Sequence, residues 1–271
     1  MRLWYDRPAD FFEETLPIGN GKLGALIDGG VKDNTIYLND ITLWTGHPVN
    51  HEEDKGAHVW IPAIREALFA EDYALADSLQ LRVQGPNSQY FQPLGTLHIF
   101  DDNEGDCSAY TRELDLDQSL CHDQYTQNGN TFHREYFANH PDKVIAMRIT
   151  SEQPRGINCR VVLTSQVPHH VKASNNGQLT MTGHAVGSPQ ESIHFCGILM
   201  ARSSDGSIMS SDSTLTVRGA SVLTLYFVNE TSFNGAGRHP VKEGAPYLEN
   251  ATNDSWHLAN YSYEEFRQRH I

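Results

Sequence analysis

Short runs of apolar residues, many alternating with polar ones, recur along most of the chain. They include Leu23 to Ile27, Thr35 to Leu38, Thr96 to Phe100, Val144 to Ile149, Cys159 to Leu163, Leu179 to Thr182, His194 to Met200, Thr214 to Val217 and Val222 to Val228. Runs of this length, rich in Val, Ile, Thr and aromatic residues, predict β-strands. Asn128-Gly129, Asn176-Gly177 and Asp205-Gly206 punctuate them, as two-residue hairpins with positive φ require. Many short strands with regular turn signals predict an all-β fold, a β-sandwich. One section breaks the pattern. From Trp60 the apolar residues Ile61, Ile64 and Leu68 follow a helical spacing, and Pro62 suits a first helical turn, where its missing N–H has no partner to lose. A second helix is expected from Asp72 to Val83. The stretch 58–84 therefore reads as a helical insertion between strands, too short to hold a core of its own.

Gly19, Gly21 and Gly24 fit the G-x-G-x-x-G pattern of a dinucleotide-binding turn. That pattern works only between a buried strand and a helix N-terminus. Phe11 to Thr15 form no apolar strand, and Leu23 to Ile27 with Thr35 to Leu38 read as two strands around a Gly29-Gly30 turn. The glycines are expected to serve a β-hairpin.

Composition narrows the possibilities. At 271 residues the chain can form one large all-β domain. A formal net charge of −14 and scattered basic residues argue against a nucleic-acid surface, which needs clustered Lys and Arg. No run approaches the ~20 apolar residues of a bilayer span, and the opening Met-Arg-Leu-Trp-Tyr-Asp lacks the apolar core of a signal peptide. Cys107, Cys121, Cys159 and Cys196 include no C-x-x-C pair, so free or partly buried thiols are expected rather than a zinc site. A disulfide among them requires separations that only the fold gives. The 14 histidines show neither H-x-x-x-H nor H-E-x-x-H spacing, and His169-His170 would point to opposite faces of a strand. No metal and no cofactor are expected. Serine-nucleophile elbows and phosphate loops are absent. The sequons at Asn229, Asn250, Asn253 and Asn260 signal at most exposed segments, and Glu52-Glu53-Asp54 and Glu264-Glu265 read as solvated charge.

Glu113, Asp115 and Asp117 alternate with Leu114 and Leu116, so on a strand the carboxylates share a face ~7 Å apart at successive positions. Such a spacing matches the ~6.5–9.5 Å of an inverting glycosidase pair. Those pairs, however, flank a sugar from opposite sides, whereas neighbours on one strand point the same way. A solvated sheet face is the expectation.

Several blocks in fixed order carry a family resemblance. They are Leu3-Trp-Tyr5, Leu16-Pro-Ile-Gly-Asn-Gly21, Gly29-Gly-Val31, Leu38-Asn-Asp40 and Thr42-Leu-Trp-Thr-Gly46. Further along come Tyr90-Phe-Gln-Pro-Leu-Gly-Thr-Leu-His98, Tyr110-Thr-Arg-Glu-Leu-Asp-Leu-Asp117, Arg134-Glu-Tyr-Phe-Ala-Asn-His-Pro-Asp142 and Thr231-Ser-Phe-Asn234. Together they resemble the N-terminal domain of glycoside hydrolase family 95, the α-L-fucosidases and relatives. The resemblance implies a large antiparallel supersandwich over 1–255. It also implies that 256–271 begin a linker helix, with Tyr261 to Ile271 stopping inside it, before an (α/α)6 barrel that holds the catalytic residues. No catalytic residue is therefore expected in this chain, which reads as an inactive fragment of a glycoside hydrolase. The implied partners are its own catalytic barrel and a fucosylated or L-galactosylated glycan, and the family favours an exported or periplasmic enzyme.

Asn39, Asp40, Trp44 and His47 lie in the signature segment, where an aromatic ring with amide and carboxylate groups could stack on and hydrogen-bond a pyranose. The rival expectation, and the favoured one, makes Trp44 an anchor against the barrel. It brings a further expectation, an exposed apolar patch and some self-association of the chain. An independent carbohydrate-binding module is the alternative. Its end should be a strand or flexible linker, whereas Tyr263 to Ile271 opens a charged helix.

Overall fold

The alternating runs pair into two antiparallel sheets. A computed structural model describes residues 1–49, 55–85 and 89–271, so Glu52-Glu53-Asp54 lie outside the described residues. In chain order the strands begin with β1 (Arg2–Tyr5), β2 (Leu16–Gly19), β3 (Leu23–Ile27), β4 (Asp33–Asp40) and β5 (Gly95–Asp101). Next come β6 (Cys107–Asp115), β7 (Leu120–Gln127), β8 (Asn130–Asn139), β9 (Val144–Ser151), β10 (Ile157–Thr164) and β11 (His169–Ser174). The series ends with β12 (Gln178–His184), β13 (His194–Ser203), β14 (Ser207–Ser211), β15 (Thr214–Ala220) and β16 (Val222–Thr231). The helices are α1 (Ile61–Phe69), α2 (Tyr73–Gln80), α3 (Tyr247–His257) and α4 (Tyr263–His270).

Nine strands form one sheet in the order β1-β6-β7-β8-β9-β16-β13-β12-β11, and seven form the other, β14-β15-β10-β5-β4-β3-β2. This is the expected β-sandwich. The smaller sheet shows period-2 burial: Ile36 and Leu38 of β4, Leu97 and Ile99 of β5, and Val161 and Leu163 of β10 point inward. They meet Tyr136, Met147, Leu199 and Phe227 from the larger sheet. In β9, β13 and β16 the apolar run is nearly continuous, because the larger sheet is covered on both faces there. A second cluster on its outer face joins Phe137, Ala146, Ile198 and Tyr226 to Ala251 and Leu258 and to Tyr263 and Phe266 of α4. Burying a Phe such as Phe266 stabilises by about 1.5–3 kcal/mol, which suffices to hold a short helix on a sheet.

The helix α4 opens on a capping box: Ser262 Oγ accepts from Glu265 N, and Ser262 N donates to Glu265 Oε2. Glu264 pairs with Arg148, so this acidic pair is engaged and not merely solvated. Helix α3 is an element that the sequence reading did not anticipate. The helical insertion was anticipated, with Pro62 in the first turn of α1 and Asp72 capping α2 by accepting from Leu75 N.

The glycine-rich stretch folds as two hairpins, with β2 pairing β3 and β3 pairing β4. No helix follows Gly24, so the dinucleotide geometry is absent. Asn20 makes the first turn: its Oδ1 accepts from Lys22 N and Leu23 N, while Nδ2 donates to Asn139 O of the other sheet. Asn128-Gly129 is the expected two-residue turn, with φ of 50° and 72°. Asp205-Gly206 departs from expectation, since it joins β13 to β14 in different sheets and is no hairpin.

Candidate functional site

Alternation along β4 decides the fate of the first two candidates. Asp40 points inward and is fully buried. Its Oδ1 accepts from Thr42 N and Thr42 Oγ1 at 2.9 and 2.7 Å, and its Oδ2 accepts from Asn229 Nδ2 at 2.9 Å. The Asp40 carboxylate thus ties the signature segment to β16. It also corrects the reading of the Asn229 sequon, because that amide is 1% exposed. Asn39 points outward instead, beside Gly24 of β3.

Trp44 and His47 lie beyond β4. Trp44 Nε1 donates to Ile41 O at 2.8 Å, and its ring meets Phe91 edge-on at 6.1 Å. The His47 ring stacks on His239 at 5.5 Å, while its carbonyl accepts from Gln89 Nε2. Both residues line a first cleft of about 420 Å³ with Ile41, Ile193, Phe233 and Pro240. Its polar groups are largely satisfied from within: Thr45 Oγ1 accepts from Tyr90 N, and Thr42 and Gln89 are engaged as described. What the cleft offers outward is mainly apolar, with Ile41 57%, Trp44 40% and Phe233 40% exposed, and Arg238 adds a cation to the lining.

Asn39 lines a second cleft, of about 410 Å³, on the outer face of the smaller sheet with Phe12, Tyr37, Phe91, Thr96 and Gln166. The four signature residues therefore do not converge. Trp44 and His47 share one cleft, Asn39 borders another, and Asp40 is sealed from solvent in the network beneath. Phe91 and Phe233 were not singled out from the sequence, although both sit inside blocks that carry the family resemblance.

The three carboxylates are not a free face. Asp115 is 7% exposed and accepts from Asp117 N and Gln118 N, while Asp117 lies past the strand end. Arg2 of β1 lies 3.5 Å from Glu113 and 3.4 Å from Asp115. A polar cleft on the outer face of the larger sheet holds Glu113, His122, Glu135 and Arg148. Glu135 is bound there by Tyr263 Oη and Arg267 Nε, so it anchors α4 and points the same way as Glu113. Among the described residues no group of three or more His, Cys, Asp or Glu is placed to hold a metal. The cysteines are free thiols, and burial pushes Cys159 and Cys196 up to about 12 and about 11, which makes them poor nucleophiles. No described helix is long and apolar enough to cross a membrane.

Comparison with known proteins places this arrangement. Residues 3–236 match glycosyl hydrolase family 65, N-terminal domain. The chain belongs to this family. As a family 65 N-terminal domain it is 28% identical to "Alpha-L-fucosidase 2" of Arabidopsis thaliana over 100% of its own length, and 26% identical to "Probable alpha-fucosidase A" of Aspergillus niger over 99%. It spans 35% and 36% of those relatives. The fold resembles that of a putative kojibiose phosphorylase from human microbiome, with a TM-score of 0.54, 9% identity, and coverage of 99% of this chain and 37% of that one. The domain family bears the number 65 where the sequence blocks pointed to family 95, and the α-fucosidase relatives are where the two meet.

Proposed function

We propose that this family 65 N-terminal domain is the non-catalytic sandwich of a glycoside hydrolase resembling the inverting α-L-fucosidases of family 95. On this reading it supports a catalytic (α/α)6 barrel carried elsewhere in the protein, and the first cleft seats that barrel and shapes the rim of its pocket. The observation that carries the reading is the character of the clefts. Glycoside hydrolysis needs two carboxyl groups flanking one sugar, and among the described residues neither the Trp44 cleft nor the Asn39 cleft is lined by Asp or Glu. The first cleft offers exposed aromatic and aliphatic groups beside bonded Thr42, Thr45 and Gln89, with Arg238 in its lining, a mix of aromatic and Arg groups that suits a protein interface. The substrate would be a fucosylated or L-galactosylated glycan held by the barrel.

The test is a Trp44→Ser, Phe233→Ser double variant in a protein that includes the barrel. The reading expects loss of domain docking, seen as rapid proteolysis between the domains, with a fall in fucosidase activity. Unchanged docking and activity would oppose it. An independent carbohydrate-binding module is the second reading, and the uncharged second cleft is what speaks for it.

A further inference from the structure

The second cleft differs from the first in what its polar groups are doing. Its aromatic walls are Phe12, which meets Tyr37 edge-on at 5.1 Å, and Phe91. Pairing across the sheet sets Gly24 beside Asn39, so a bare glycine leaves a depression next to the amide. The Asn39 Oδ1 is buried and has no hydrogen-bond partner among the described residues. Protein groups almost always satisfy such buried atoms, and because no protein group holds this amide, rotation of the side chain would bring its acceptor into the cleft. The Gln166 amide and the hydroxyls of Tyr37 and Thr96 border the same space.

Among the described residues no charged side chain lines this cleft, although the chain carries a formal net charge of −14. That lining selects a neutral ligand. Its volume of about 410 Å³ falls within the range of small-molecule sites, which are mostly apolar with a few placed polar groups. A pyranose matches on each count: uncharged, with an apolar C–H face for the aromatic walls and hydroxyls for the amides. We infer that the second cleft binds one neutral pyranose residue of a glycan. The site is separate from the Trp44 cleft and stands independently of the barrel-docking role proposed for that surface, because its test involves neither barrel nor hydrolysis.

The test titrates the isotope-labelled 271-residue chain by NMR with methyl α-L-fucopyranoside and with methyl β-D-galactopyranoside, using glycerol as a hydroxyl control. At least one sugar should give saturable shifts in the millimolar range that gather at Gly24, Tyr37, Asn39 and Thr96, and glycerol should give none. Asn39→Ala removes no hydrogen bond made by the protein and should weaken binding by about fivefold, one hydrogen bond's worth. A Cβ at Gly24 would meet only ordinary contacts, Ile18 O at 3.6 Å and Asn39 Cβ at 3.9 Å, and the β-branched side chain of Gly24→Val suits a strand and projects into the cleft, so it should abolish the shifts. Four results would each overturn the assignment: no saturable shift with either sugar, shifts centred on Trp44 and His47, binding that survives Gly24→Val, or sugar-independent shifts that grow with protein concentration and reveal a second copy in the cleft.

Discussion

Arg269, near the end of α4, donates Nε and Nη2 to the two carboxylate oxygens of Asp142, at 2.9 and 2.8 Å. The Asp142 side chain is fully buried in the β8–β9 turn, and His257 of α3 reaches the same carboxylate at 3.1 Å. One residue therefore holds both C-terminal helices to the sandwich. Asp142→Ala should cost about 2 kcal/mol, the scale of a hydrogen bond to a charged group. Hydrogen exchange should locate the effect, with protection falling across 247–270 while the central strands keep theirs.

The same carboxylate sets a pH limit. Burial alone would raise the pKa of Asp142, but the hydrogen bonds from Arg269 and His257 outweigh it and hold the carboxyl below its usual 3.8. Its stabilisation is present above that value and is lost as pH falls through the folded pKa. Glu230 behaves oppositely, since burial raises it above 4.5 despite the Lys22 partner. The folded state then binds the proton more tightly, and stability declines as pH rises through the window above 4.5. Urea midpoints across pH should show Asp142→Asn flattening the acid limb and Glu230→Gln flattening the other.

Two sheets meet at the Gly29-Gly30 turn. Arg134 of β8 donates to the carbonyls of Gly30 and Gly29 at 2.8 and 2.9 Å, and it pairs with Asp123 in full burial. Tyr136 Oη donates to Asp123 and accepts from Asn34 Nδ2 of the opposite sheet. Asp123→Ala would strand the Arg134 charge and should cost about 3–5 kcal/mol by chemical denaturation. The glycines nearby are not equivalent. Gly29 has φ of +73°, and a Cβ there would fall 2.3 Å from Tyr110 Oη. Gly29→Ala should lose at least about 1–2 kcal/mol from backbone conformation alone, whereas Gly24→Ala should change stability by about 0.5 kcal/mol or less.

The exposed aromatics and aliphatics at the first cleft predict reversible self-association of the chain. Light scattering should show apparent mass rising with concentration, and Trp44→Ser should suppress the rise.

Strands were legible because period-2 burial is a local property, visible in Leu97 and Ile99 or in Val161 and Leu163. The run in β16 is continuous because that strand is covered on both faces, which was not read from the sequence. Helix α3 was not legible: Tyr247–His257 is rich in Asn, Asp and Thr, poor helix formers, and it buries only the small residues Ala251 and Ser255. The site was half legible. Trp44 announced itself as a large aromatic in a signature block, but the role of Asp40 depends on Asn229, which is 189 positions away. The second cleft is assembled by pairing β2, β3, β4 and β5, and no local pattern marks that.

On the proposed reading, the hydrolytic chemistry lies outside this domain. Release of fucose from 2-linked fucosyl-lactose and from an aryl α-L-fucoside is measured for the 271-residue chain alongside a longer protein that includes the proposed barrel. Turnover by the longer protein alone is the predicted result. Turnover by the chain itself would contradict the account and would turn attention to Glu113 and Glu135 in the polar cleft.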